Sequence, residues 1–167
     1  MNADYFSLRK KISATFADIA HRQGSQMACK NGCNSCCLPG LSVSPVEFEF
    51  IKEYLARTPD LLTKFLSLEL MNTQKKTRCS FLDEQGSCAI YEARPIICMS
   101  HGVPIKFKTG AQLDRSVCHL NFKDGLSELP ESTFLNIDLI NSILALINAK
   151  DYANQPLRRP LAPSSFK

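Results

Sequence analysis

Four cysteines fall within nine residues, in the run Cys-Lys-Asn-Gly-Cys-Asn-Ser-Cys-Cys from Cys29 to Cys37, and four more, Cys79, Cys88, Cys98 and Cys118, follow singly. Thiolates are ligands for soft metals, and both zinc and iron–sulfur clusters take four of them. Two cysteines two to four residues apart can reach one metal, because the turn between them points both side chains the same way; Cys29 with Cys33, Cys33 with Cys36 and Cys33 with Cys37 all qualify. Cys36 and Cys37 are adjacent, and neighbouring side chains are expected to diverge. One of them then serves a first centre while the other serves a second or stays a free thiol. Two sites, or one tetra-thiolate site with spares, both fit the count. The single cysteines read as separate loops tied back to the run.

Other uses of eight cysteines fit less well. Small secreted domains need disulfides because they lack a core, but this chain has 167 residues and is 44% hydrophobic, enough to fold without staples. Nor does a preference for burial explain four cysteines in nine residues. Asp4, Arg9, Lys10 and Lys11 interrupt the first sixteen residues, and nowhere does an apolar run reach the length of a signal core or a membrane span. The expected compartment is therefore the cytoplasm, without a membrane partner, where thiols stay reduced. The formal charge of +4 counts every thiol as neutral, and metal-bound thiolates would cancel it. No nucleic-acid partner is expected. The basic run Lys75, Lys76 and Arg78 has no interleaved aromatics and reads as a solvated turn.

The elements that must position the cysteines are mostly helical. Tyr5, Leu8, Ile12, Phe16 and Ile19 recur every three or four residues, which predicts an amphipathic helix over Asn2–Gln23. Ser44-Pro45-Val46-Glu47 predicts a helix start with Ser44 as N-cap, Pro45 first and Glu47 closing a capping box, the helix running to about Arg57 with Val46, Phe50, Ile51, Tyr54 and Leu55 on its buried face. A leucine-rich helix follows from Asp60 to about Gln74, forming a hairpin with it. Asp83-Glu84-Gln85-Gly86 predicts a turn that sets Cys79 and Cys88 across a small hairpin. Arg94-Pro95 opens a short helix carrying Cys98, and Val103–Lys108 alternates as a strand ended by Thr109-Gly110. The most apolar helix is capped by Asp138 and runs to about Tyr152. The fold class is thus mainly α, a small helical bundle with a loop-rich cysteine lobe and room for one short β-hairpin. Residues 1–154 form a single domain, and 155–167, with three prolines, a flexible tail.

Taken together, Cys29, Cys33 and Cys36-Cys37, the Pro45/Glu47 helix start, Cys79-Ser-Phe-Leu, and Cys88-Ala-Ile-Tyr91-Glu-Ala-Arg94-Pro95-Ile-Ile-Cys98 resemble the YkgJ family of cysteine-cluster proteins, also described as the CxxCxxCC zinc- or iron-chelating domain. The likeness spans Cys29 to Cys118. It implies Cys33, Cys36, Cys37, Cys88 and Cys98 as central metal ligands, Cys29, Cys79 and Cys118 as supporting ones, and Tyr91, Arg94 and Pro95 as residues shaping the cofactor's surroundings. The first cysteine spacing is one residue longer than the family name suggests, and Met99 stands where members often carry arginine.

Arg94 beside thiolates would offset their charge and lower their pKa. His21, His101 and His119 read as surface or neighbouring groups rather than ligands. The function expected is a metal-binding protein holding an iron–sulfur cluster, of [4Fe–4S] type, or zinc, with the balance toward the cluster because the crowded run plus distant cysteines resembles ferredoxin-type ligation. Two other classes remain open: a thiol redox sensor, and an accessory protein to a modifying enzyme such as a lysine methylase, by family analogy. The chain has no glycine-rich nucleotide loop and no paired catalytic carboxylates, so it does not read as an enzyme itself.

Overall fold

The computed structural model describes residues 2–30, 32–71 and 77–167. Helix α1, Ala3–Arg22, begins at Asn2, whose side chain accepts from the Tyr5 amide, and buries Tyr5, Leu8, Ile12 and Ile19 as its spacing predicts. Strand β1, Ser42–Val43, leads into α2, Pro45–Ala56. The predicted capping box is present: Glu47 Oε2 accepts from both the amide and the hydroxyl of Ser44, each at 2.8 Å. Helix α3, Pro59–Met71, packs on α2. The last predicted turn of that helix, and Lys75 and Lys76 of the basic run, lie outside the described residues.

The cysteine lobe follows. A hairpin turns at Asp83–Gly86, with Leu82 bridging Cys88, and α4, Ile96–Ser100, starts from Pro95. Strands β2, Ile105–Thr109, and β3, Gln112–Ser116, form an antiparallel hairpin around Gly110, and β4, Leu135–Asn136, joins β2 in parallel. The sequence predicts β2 but not β3, whose residues are largely exposed and carry no apolar alternation. Helix α5, Ile137–Asp151, is capped by Asn136, which accepts from the Leu139 amide at 3.0 Å. Asp138, the predicted cap, instead lies in the first turn and accepts from the Lys108 amide at 2.8 Å, anchoring β2 to the helix. No described helix is long and apolar enough to cross a membrane.

Two apolar clusters fill the interior. One gathers α1, α4 and α5 around Tyr5, Ile12, Ile96, Met99 and Ile147; the other gathers α2 and α3 with Phe81, Ile90, Leu161 and Phe166. Helix α2 serves both: Val46 enters the first while Phe48, Ile51 and Leu55 enter the second. A helix between two cores needs apolar residues on more than one stripe, which is why Phe48 is buried although it lies off the predicted face.

The tail is not free. Strand β5, Arg159–Pro160, pairs antiparallel with β1, and Leu161 and Phe166 are buried. Phe166 stacks on Phe48 with ring centroids 4.4 Å apart, Arg159 lies over the same Phe48 ring, and the Ser164 amide donates to Glu69 at 2.8 Å. The prolines that suggest a mobile end instead hold an extended edge, where a missing N–H is tolerated. Phe166→Ala should cost about 3–5 kcal/mol of stability, read as a lower urea midpoint; an unchanged midpoint would show that the tail adds nothing to the core.

Candidate metal centre

The Cys29–Cys37 run is built from tight turns. The Cys33 amide donates to Lys30 O at 3.0 Å and the Cys37 amide to Asn34 O at 2.9 Å, so the chain doubles back between successive cysteines. The second segment is threaded onto the first by the Cys79 amide, which donates to Cys37 O at 2.9 Å. Asn34 Nδ2 reaches Gly86 O, hooking the hairpin tip to the run. Gly86 has φ +80°, and a Cβ there would stand 2.2 Å from that Asn34 amide, so only glycine allows the approach.

Two buried charged residues hold the Tyr91–Cys98 segment. Arg9 of α1 donates to the carbonyls of Glu92, at 2.7 Å, and Arg94, while its guanidinium lies 4.5 Å from the Phe50 ring. Glu47 Oε1 accepts from the Ile96 amide at 2.9 Å, so the carboxylate that caps α2 also fixes the start of α4. Sequence reading gave Glu47 the first task and Arg9 none. The clue to Arg9 lay in the spacing, since it falls four residues after Tyr5 and three before Ile12, on the buried stripe.

All eight cysteines converge on one cavity of 440 Å3. Tyr91, Arg94 and Pro95 line it with them, as does His101, whose Nδ1 is 2.5 Å from Ile97 O. His21 and His119 are exposed. Walls from both apolar cores, including Phe16, Ile90 and Leu161, complete the cavity. Among the described lining residues there is no aspartate or glutamate, so the donors are sulfur and imidazole, a soft set suited to zinc or iron–sulfur ligation and not to magnesium or calcium. No group of three or more His, Cys, Asp or Glu side chains among the described residues is arranged to hold an ion as it stands. In kind and number, the donors fit a zinc or iron group.

The model of the CxxCxxCC family, described as "Putative zinc- or iron-chelating domain", matches residues 28–119. The chain belongs to the CxxCxxCC family. No curated protein and no solved structure matches it.

Within this CxxCxxCC domain the thiols are unequal. Cys36 and Cys37 do not diverge as adjacent side chains are expected to; the Cys36 thiol donates to the Cys37 sulfur. That bond holds Cys37 below the ordinary thiol range, against the opposing effects of burial and of Cys79, Cys88 and Cys98. It raises Cys36, with burial adding to the rise. Burial pushes Cys98 up to about 12, with Cys79 and Cys88 adding to the rise and Arg94 pulling it back. Burial also raises Cys79 and Cys88, and Arg94 again acts the other way on Cys88. Arg94 lies 3.6 Å over the Tyr91 ring, and its Nε donates to Tyr91 O at 3.1 Å, which keeps the cation at the cavity.

A thiol raised by burial stabilises the metal-free fold while it stays protonated. The Cys98 contribution is complete below the ordinary thiol value of 9.0 and is lost as pH rises toward about 12. Thermal unfolding of metal-free protein across that window should show a falling midpoint, and Cys98→Ala should flatten the slope. A midpoint that rises with pH would contradict the burial argument. Metal uptake should run the opposite way, strengthening with pH because each ligand must give up its proton.

Proposed function

We propose that this CxxCxxCC domain holds an iron–sulfur cluster, with Cys37, Cys79, Cys88 and Cys98 as its inner four ligands and a redox or cofactor-linked role. The observation that carries this reading is the convergence of all eight cysteines, without a carboxylate among the described lining residues, on a single cavity. The crowded Cys29–Cys37 run completed by distant cysteines resembles ferredoxin-type ligation, which favours a cluster over a single zinc. The inner assignment rests on neighbourhood: Cys37 is influenced by Cys79, Cys88 and Cys98, Cys98 is influenced by Cys79, Cys88 and Cys36, and the Cys79 amide is bonded to Cys37 O, while Cys36 holds its proton in the bond to Cys37.

Bound here, the cluster would supply one-electron transfer. The chain's own residues set its conditions. Arg94 offers a fixed positive charge against the negative charge of four thiolates and their cluster. The hydrogen bond from Cys36 makes Cys37 the readiest thiolate of the inner set, and the apolar walls limit water. Pro95 and the Arg9 and Glu47 contacts fix the approach of Cys98. Closely spaced thiols kept for ligation suit a reducing compartment such as the cytoplasm.

Protein purified without oxygen should be brown and carry iron with acid-labile sulfide. Colourless protein with stoichiometric zinc would sink the cluster reading while leaving thiolate chelation in place. Cys88→Ser and Cys98→Ser should each lose metal and show increased proteolysis of the 78–119 lobe, because site formation and local folding are coupled.

A further inference from the structure

We infer that Asn121 is a positioning residue that sets the Cys29 thiol as a hydrogen-bond donor to the bound cluster and so raises the cluster's reduction potential. This role rests on the reading above, in which Cys37, Cys79, Cys88 and Cys98 hold the cluster and Cys29 is not a ligand.

The side-chain amide of Asn121 can sit only one way round. It is buried, its Oδ1 accepts from the Ala28 amide at 2.8 Å, and its Nδ2 donates to Gly102 O at 2.6 Å. A backbone N–H only donates and a backbone carbonyl only accepts, so these two bonds fix which end is nitrogen. The second N–H of that nitrogen is then the one at Cys29 Sγ, 3.2 Å away.

The surroundings are shaped for this contact. Gly102 has φ +104°, and a Cβ there would stand 2.8 Å from the Cys29 sulfur, so only glycine leaves the sulfur its place. Phe122, next to Asn121, has φ +50°, a left-handed conformation that residues with side chains rarely adopt. Its buried ring holds it there, together with its amide, which donates to Gln26 O at 2.8 Å. Strain of this kind persists only where the surrounding contacts impose it, and it gathers at functional sites. The turn is thus tied to the segment entering the cysteine run at Gln26, Ala28 and Cys29.

A thiol has one weak S–H donor and a sulfur that accepts weakly. Unligated, it keeps its proton near neutral pH. Asn121 takes the accepting side of the Cys29 sulfur, and among the described residues no acceptor is bonded to its S–H. The S–H is left for the cavity that Cys29 lines together with the four cluster ligands. Thiolates and cluster sulfides carry negative charge there and are the acceptors it meets. A donor to those sulfurs favours the reduced, more negative state. The bond received from Asn121 polarises the thiol and strengthens it as a donor.

The test is the reduction potential, measured by anaerobic redox titration of wild-type protein, Cys29→Ala, Cys29→Ser, Asn121→Leu and the Cys29→Ala/Asn121→Leu double variant, with iron and acid-labile sulfide per chain as the check on the cluster. Cys29→Ala and Asn121→Leu should keep wild-type iron and lower the potential, whereas Cys29→Ser, which retains a donor, should stay near wild type. The double variant should match Cys29→Ala alone, since a residue acting through Cys29 has nothing left to act on. A further drop in the double variant would show Asn121 to be merely structural and overturn its positioning role. An unchanged potential in Cys29→Ala would overturn the donor, and loss of its iron would show Cys29 to be a ligand instead. Should Asn121→Leu fail to fold, Asn121→Asp, which keeps the size and the bond to Ala28, takes its place, and Cys29→Ala against Cys29→Ser decides the donor without it. Wild-type protein without iron would remove the cluster reading and this role with it; wild-type protein with a cluster indifferent to Cys29→Ala would remove this role alone.

Discussion

The buried carboxylate of Glu47 is the constraint on which the cysteine lobe depends. It accepts from Ser44 twice and from the Ile96 amide once, so the start of α2 and the start of α4 are fixed by one group. An unpaired buried carboxylate is among the costliest things a fold can contain, and here three donors remove that cost only when both helices are in place. Arg9 applies the same logic from the opposite side. Its guanidinium is satisfied by carbonyls of the Glu92–Arg94 segment, so α1 docks correctly only when that segment has its irregular shape. Between these two residues the backbone leading to Cys98 has little freedom.

This explains how a loop-rich lobe can present sulfurs to a common space. The turns of the Cys29–Cys37 run, the Cys79–Cys37 backbone bond and the Asn34 hook are local and weak singly. They converge because α2 and α4 hold their ends. The apolar clusters on either side then supply walls that keep most thiols partly out of water and, for Cys98 and Cys88, protonated in the absence of metal. Metal binding therefore has to work against desolvation and proton loss, with Arg94 and the Cys36–Cys37 bond reducing the opposition at particular sulfurs.

Much of this was legible in the sequence. Apolar spacing located α1, the Ser44–Glu47 pattern located α2, and the proline and cysteine order of Cys88 to Cys98 marked the lobe. What stayed hidden has physical reasons. Arg9 was given no structural task because its partners are carbonyls, which leave no mark on composition. Phe48 and the tail were misplaced because a second core, partly built from Phe166 and Leu161, cannot be inferred from one helix's stripe. Asn121 carried no motif, and it lies beyond the residues that match the family. Its meaning comes from three segments meeting, which only the fold reveals. The Cys36–Cys37 contact defied the simple expectation of diverging neighbours, because a sharp turn can bring vicinal sulfurs together.

The place of Leu161 in the cavity wall bears on the order of events during synthesis. The chain emerges from the ribosome starting at its N-terminus, and Cys118, the last of the eight thiols, precedes Leu161 by a long stretch that includes α5. For that interval every sulfur is available while the apolar side contributed by the β5 segment is missing. The wall on that side is therefore complete only once the whole chain has been made. The segment that is made last is thus the one that finishes the surroundings of thiols made much earlier.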